Sequence, residues 1–78
     1  MANKRSSKMD LSIAELGKEY TVQAINTKDS ELNAFLFSLG CYQGEPITVI
    51  SRRKSGCVVA IKDARYSIDM RLAKAISI

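Results

Sequence analysis

The feature that most constrains the fold is a stretch of thirteen residues, Leu32–Gly44, in which a short helix is stopped by glycine and turned into a strand. Four apolar residues in it recur at helical spacing and form one stripe: Leu32, Phe35, Leu36 and Leu39. Gly40 supplies a left-handed stop, and Gly44 permits a tight turn. The stretch therefore predicts a helix over about Glu31–Leu39, packed on whatever sheet follows.

The rest of the chain has strand chemistry at short intervals. One run precedes the helix and four follow it: Tyr20–Asn26, Ile47–Arg53, Cys57–Lys62, Arg65–Met70 and Ile76–Ile78. Loops this short indicate antiparallel pairing. A flat sheet of five strands in so small a chain would have one face uncovered. We therefore expect the strands to curl into a five-stranded barrel. The predicted fold is mostly β, with two or three short helices.

The beginning of the chain predicts a tail and then a capped helical turn. Residues 1–10 predict a disordered N-terminal tail, and residues 11–78 the folded domain. The tail is basic: its Lys and Arg residues carry three charges of the chain's net +4. Ser12 and Glu15 have the spacing of a capping box, and Gly17 ends the turn. Three residues of this segment are expected to be buried: Leu11, Ile13 and Leu16.

The residue types that are missing exclude several functions. The chain has no histidine, so a Ser–His or Cys–His nucleophile is impossible and we expect no enzyme. Cys41 and Cys57 match no zinc-site spacing and are interpreted as core residues. No cofactor is predicted, although weak association of a transition metal stays open. The longest apolar run, Cys57–Ile61, is too short to span a bilayer, and free thiols indicate the cytoplasm.

The order of these motifs resembles the FeoA family, whose members are associated with bacterial ferrous-iron uptake. The resemblance rests on the leucines of the helix, Leu39-Gly40, Gly44 and the strand after it, and extends over roughly Leu11–Ile78. It implies an SH3-like barrel and a non-enzymatic cytoplasmic protein. It also implies docking on a FeoB-type GTP-dependent membrane transporter, which would bring the chain to the inner membrane without inserting it. Phe35 stands where the family usually has a basic residue.

Candidate partner-binding residues are those that the core and the turns do not require: Phe35, Phe37, Cys41, Tyr42, Arg52 and Arg53. Phe37 lies off the apolar stripe, so it either completes the core or contacts a partner. The residues assigned to structure are Gly17, Leu32, Leu36, Leu39, Gly40 and Gly44. Self-association is left open.

Two alternative functions remain. The first is a stand-alone module of the type found at the C-terminus of metal-dependent regulators. The second is a small RNA-binding barrel that uses Arg52, Arg53 and Lys54, although nucleic acid is not the expected partner.

Overall fold

The computed structural model describes residues 9–78. A 3-10 helix, Leu11–Ile13, comes first, and there are two α-helices, α1 (Ser30–Leu39) and α2 (Met70–Ala75). Six strands fill most of the remainder of this range: β1 (Glu19–Thr21), β2 (Ala24–Ile25), β3 (Pro46–Arg53), β4 (Gly56–Ile61), β5 (Ala64–Asp69) and β6 (Ile76–Ser77). The predicted mostly β class is therefore confirmed.

The strands form two antiparallel sheets. The larger has the order β1-β3-β4-β5, and the smaller pairs β2 with β6. Six strands in two sheets thus stand where the sequence predicted five in a single barrel. The difference arises in the predicted strand Tyr20–Asn26, which breaks after Thr21 so that its two halves join different sheets. A buried Val22 marks the break.

The core lies between the two sheets and the helices. It contains fourteen buried apolar residues. The largest fully buried ones come from the 3-10 helix, α1, β3, β4 and β6 and from the segments after β1 and α1: Leu11, Val22, Leu36, Cys41, Ile47, Val49, Val59, Ile61 and Ile76. Burial alternates strictly along β4, as expected for a strand with one face inward. In β5, Arg65, Ser67 and Asp69 are exposed, and this alternation agrees with the sequence prediction.

The segment before β1 differs from its prediction. Asp10, not Ser12, caps the 3-10 helix, because its carboxylate accepts a hydrogen bond from the Ser12 amide at 2.9 Å. Leu11 is buried as expected, whereas Ile13 and Leu16 are 60% and 53% exposed. A 3-10 turn has three residues per turn, so the α-helical spacing assumed for these residues does not apply.

The predicted tail covers residues 1–10, of which residues 1–8 lie outside the described residues. Asp10 forms an isolated antiparallel bridge with Ser77. The Ile78 amide donates a hydrogen bond to the carbonyl of Met9 at 3.0 Å. These two contacts attach the beginning of the described chain to its end.

Candidate docking surface

Helix α1 is positioned by its two ends. Asp29 caps the N-terminus, where its carboxylate accepts hydrogen bonds from the amides of Glu31 and Leu32. Gly40 closes the C-terminus at φ 90°, and its amide donates to the carbonyls of Leu36 and Phe37. A left-handed residue at this position favours glycine. The predicted glycine stop is therefore present in the structure.

The faces of α1 differ from the predicted stripe. Leu36 is 1% exposed and anchors the helix, and Leu32 and Leu39 pack half-buried against the core. Phe35 is 45% exposed, so it lies outside the core to which its spacing assigned it. Phe37 is 65% exposed. Two residues along a helix are about 200° apart, which places these phenylalanines on opposite flanks.

Phe37 belongs to a composite surface that we call the aromatic patch, formed by Phe37, Gly40, Tyr42, Glu45 and Lys62. The rings of Phe37 and Tyr42 lie 4.8 Å apart, centroid to centroid, with their planes at 32°. This distance is typical of interacting aromatic side chains. The patch joins the end of α1, the turn that follows it and the β4–β5 hairpin.

Lys62 covers one side of the aromatic patch. Its Nζ lies 6.0 Å from the Tyr42 ring centroid and 2.6 Å from Glu45 Oε1. The hydrogen bond and charge of Glu45 raise the pKa of Lys62. Gly40 leaves room for this side chain, because a Cβ there would lie 2.9 Å from Lys62 Cε. Sequence reasoning missed Glu45 and Lys62, since only the fold brings them beside Tyr42.

Cys41 and Tyr42 differ in burial: Cys41 is buried, whereas Tyr42 is half-buried. The Cys41 side chain is 1% exposed, and burial raises the pKa of its thiol to about 11. It packs in the core and offers no contact to a partner. Burial also raises the pKa of Cys57, opposed by the nearby charge of Arg52. Both cysteines are free and buried, as the sequence predicted.

Arg52 and Arg53, adjacent in sequence, have different environments. Arg52 Nη1 donates a hydrogen bond to the carbonyl of Ala14 at 2.6 Å, so this side chain supports the loop before β1. Arg53 is exposed beside an open groove of about 490 Å³ on the outer face of β3, β4 and β5. Ser51, Ser67 and Asp69 also line this groove. Neither arginine belongs to the aromatic patch.

A second exposed apolar group lies near Arg52. The Gly17 amide, at φ 81°, donates to the carbonyl of Val49 at 2.8 Å and holds the loop against β3. This loop carries the exposed side chains of Ile13 and Leu16. Ile50, 37% exposed, follows Val49 at the irregularity in the β3–β4 register. The sequence predicted that Ile13 and Leu16 would be buried, so this exposed apolar surface was not expected.

Two further properties bear on function. Within residues 9–78, no group of three or more cysteine, aspartate or glutamate side chains is arranged to hold a metal ion. No helix in the same range is long and apolar enough to cross a membrane.

Comparison with known proteins identifies the family. A family model described as the FeoA domain matches residues 9–78, which is every residue that the structure describes. This chain belongs to the FeoA family. FeoA-domain proteins are small proteins associated with ferrous-iron transport, and the predicted resemblance is thereby confirmed. Among curated proteins, none matches the sequence significantly.

Solved structures of FeoA proteins have the same fold. Stenotrophomonas maltophilia FeoA, described as a zinc complex and an SH3-domain protein, matches with a TM-score of 0.76 at 19% identity, over 87% of this chain and 86% of that one. The iron(II) transport protein A of Clostridium thermocellum matches with a TM-score of 0.78 at 23% identity, over 87% of this chain and 43% of its own. The predicted SH3-like class agrees with the description of the Stenotrophomonas maltophilia protein.

A regulator also shares the fold. A manganese-dependent transcriptional repressor matches with a TM-score of 0.83 at 24% identity, over 92% of this chain. The match spans 41% of the repressor, so this FeoA-family chain has less than half of the repressor's length. At this identity the similarity establishes the fold alone.

Proposed function

We propose that this FeoA-family chain is a non-enzymatic accessory protein of ferrous-iron uptake that docks on the cytosolic part of a FeoB-type transporter and modulates it. Membership in the family supports the link to iron transport. The proposal places the chain in the cytoplasm, at the inner membrane only through its partner.

The observation that carries the proposal is the exposure of Phe37. A phenylalanine exposed by 65% contributes little to its own core, and aromatic residues are enriched at the centres of protein interfaces. The contact with Tyr42 holds its ring in place before binding, so less side-chain entropy is lost when a partner covers it. Lys62 and Glu45 then provide a polar rim.

Binding of the purified chain to the cytosolic domain of a FeoB-type transporter, measured by calorimetry, tests the proposal. We expect Phe37→Ser to weaken binding at least about tenfold, the usual effect of losing an interface anchor. Leu16→Ser is the matched control, because Leu16 is also exposed but lies on the loop before β1. It should bind as the unmodified chain does.

Thermal unfolding of both variants separates docking from folding. Neither exposed side chain should change the free energy of unfolding by more than about 1 kcal/mol. If Phe37→Ser lowers the free energy of unfolding by much more than about 1 kcal/mol and the folded variant binds with unchanged affinity, Phe37 belongs to the core and the proposed docking role is wrong. If neither variant changes the affinity, the aromatic patch is not the docking surface.

The similarity to a manganese-dependent repressor favours a second candidate, a metal-responsive module. Calorimetric titration with manganous or ferrous ion tests it directly. Saturable binding by the purified chain would support this function over simple docking. Heat no larger than that of dilution would remove it.

A further inference from the structure

The four-stranded sheet ends at β5, whose outer edge has no neighbouring strand within residues 9–78. Ile61 and Ala64 flank the two-residue turn to β4 and form its first pair. In a two-residue hairpin this pair is hydrogen-bonded, and hydrogen-bonded pairs then alternate along the strands. The amides of Arg65, Ser67 and Asp69 therefore face away from β4. Within the described range, no carbonyl of a turn, loop or cap accepts a hydrogen bond from these three amides.

The same three residues carry a charge pattern that is complementary to itself. Arg65, Ser67 and Asp69 are exposed on one face of β5, with a cation at one end and an anion at the other. An antiparallel copy related by a two-fold axis at Ser67 would place each Arg65 opposite the other copy's Asp69. Opposite charges directly across a strand pair stabilise it.

The alignment that pairs Arg65 with Asp69 of the second copy also brings the backbone hydrogen-bonding groups of the two strands opposite each other. The axis at Ser67 pairs residues whose backbone groups all face outward, so hydrogen bonds and ion pairs form in one alignment. A shift by one residue would place inward-facing groups opposite outward-facing ones. Asp69 Oδ1 already accepts from the Leu72 amide at 2.8 Å, and its second carboxylate oxygen is available to an arginine. Neither Arg65 nor Asp69 has an ion pair within the described residues.

We propose that β5 is a self-association edge, through which two copies of this chain join their sheets into one antiparallel sheet of eight strands. Charged residues on an edge strand usually discourage pairing. Here their order favours one partner, a second copy in one orientation, and disfavours a parallel approach, which would oppose like charges. A two-fold contact of this kind closes on itself and yields a dimer.

Sedimentation equilibrium of the purified chain tests this proposal. The unmodified chain should form dimers in a concentration-dependent manner, and added salt should weaken them. Arg65→Asp opposes like charges at both ends of the strand pair, so the dissociation constant should rise about tenfold or more. Lys18→Asp is the matched control: it makes the same charge change at an exposed position directly before β1, at the opposite edge of the sheet from β5, and should leave dimerisation unchanged.

Two further variants address the geometry. Ser67→Pro removes an amide that faces outward, so it should abolish the dimer while leaving the β4–β5 ladder intact. Asp69→Lys should not form dimers by itself, but mixed with Arg65→Asp it should restore a heterodimer with both ion pairs. Because Asp69→Lys also removes the cap of α2, its thermal unfolding is measured first, and Asp69→Asn, which keeps the cap, replaces it if it is unfolded. Asp69→Asn should weaken the dimer less than Arg65→Asp.

A chain that stays monomeric up to about 1 mM would overturn the proposal. So would equal weakening by Arg65→Asp and Lys18→Asp, or a dimer that survives Ser67→Pro. The measurement uses this chain alone and is independent of transporter docking. Phe37→Ser should therefore dimerise normally, whichever way the docking experiment turns out.

Discussion

Arg52 Nη1 donates a hydrogen bond to the carbonyl oxygen of Ala14 at 2.6 Å and so joins two residues that are 38 positions apart. Ala14 is completely buried, and its carbonyl oxygen accepts a hydrogen bond from this charged donor. This contact, with that of Gly17 to Val49, attaches the loop before β1 to β3. Arg52, a candidate partner-binding residue from the sequence, therefore makes a structural contact within the chain.

Replacing Arg52 should destabilise the domain. Arg52→Met keeps most of the apolar stem and removes the donor, so we expect the free energy of unfolding to fall by about 1.5–3 kcal/mol, the usual contribution of a hydrogen bond to a charged group. Chemical denaturation measures this change. Arg53→Met, at the exposed neighbouring position, should change it by no more than about 0.5 kcal/mol. Equal effects of the two substitutions would mean that the bond to Ala14 does not stabilise the fold.

Gly56 should tolerate alanine less well than Gly44. A Cβ at Gly56 would lie 2.1 Å from the carbonyl oxygen of Ile68, which is backbone and cannot move aside without disturbing β5. We expect Gly56→Ala to cost about 3 kcal/mol or more in urea unfolding. At Gly44, φ is 93° and nothing lies within 4 Å of a Cβ, so Gly44→Ala should cost only the conformational strain of about 1–2 kcal/mol. The reverse order would contradict the close approach of β4 and β5.

The N-terminal cap of α1 offers a third test. Asp29→Ala leaves the Glu31 and Leu32 amides without their acceptor and should destabilise the domain by about 1 kcal/mol. Asp29→Asn retains a capping oxygen and should remain within a few tenths of a kcal/mol of the unmodified chain. Thermal unfolding of the pair distinguishes them. If the two variants lose the same amount of stability, the carboxylate contributes through its charge and not as a cap.

Cys41 predicts a loss of stability at alkaline pH. Burial raises its pKa to about 11, from 9.0 in a solvent-exposed thiol. Below pH 9 the thiol is protonated in both states and the contribution to stability is complete. Between pH 9 and 11 the unfolded chain releases the proton and the folded chain does not, so the free energy of unfolding decreases by about 2 kcal/mol.

Cys41→Ala provides the control for this effect. Other groups titrate over the same range in both proteins, so the difference between their two pH profiles isolates the thiol. The profiles should converge by about 2 kcal/mol from pH 9 to 11 as the Cys41 contribution is lost. Parallel profiles would show that the thiol ionises equally in both states. The buried thiol should also react with iodoacetamide only when the chain unfolds.

Local patterns predicted most of the secondary structure. The stop at Gly40, the alternation along β5 and the strand predicted over Ile47–Arg53 all follow from chemistry within a few residues. The break between β1 and β2 was not predictable in the same way. Tyr20–Asn26 reads as one strand, and its halves separate because each finds a different partner strand.

The docking residues could be predicted only in part. Spacing placed Phe35 on the buried stripe and left Phe37 undecided, because a helical period identifies faces without saying how wide the covered face is. Leu36 is the one fully buried residue among these three, and the face of α1 that the core covers is too narrow to include Phe35 or Phe37. Cys41 and Tyr42 are neighbours in sequence, yet one is buried and the other lies beside Phe37.

The sequence by itself determined the family, the mostly β class and the glycines that end the helix and turn the chain, because these depend on local backbone preferences and on motif order. Only the tertiary structure decided what the surface presents. It placed Lys62 beside Tyr42, bound Arg52 to Ala14 and left β5 as an edge. Such contacts join residues that are distant in the chain, and no local preference specifies which of them will meet.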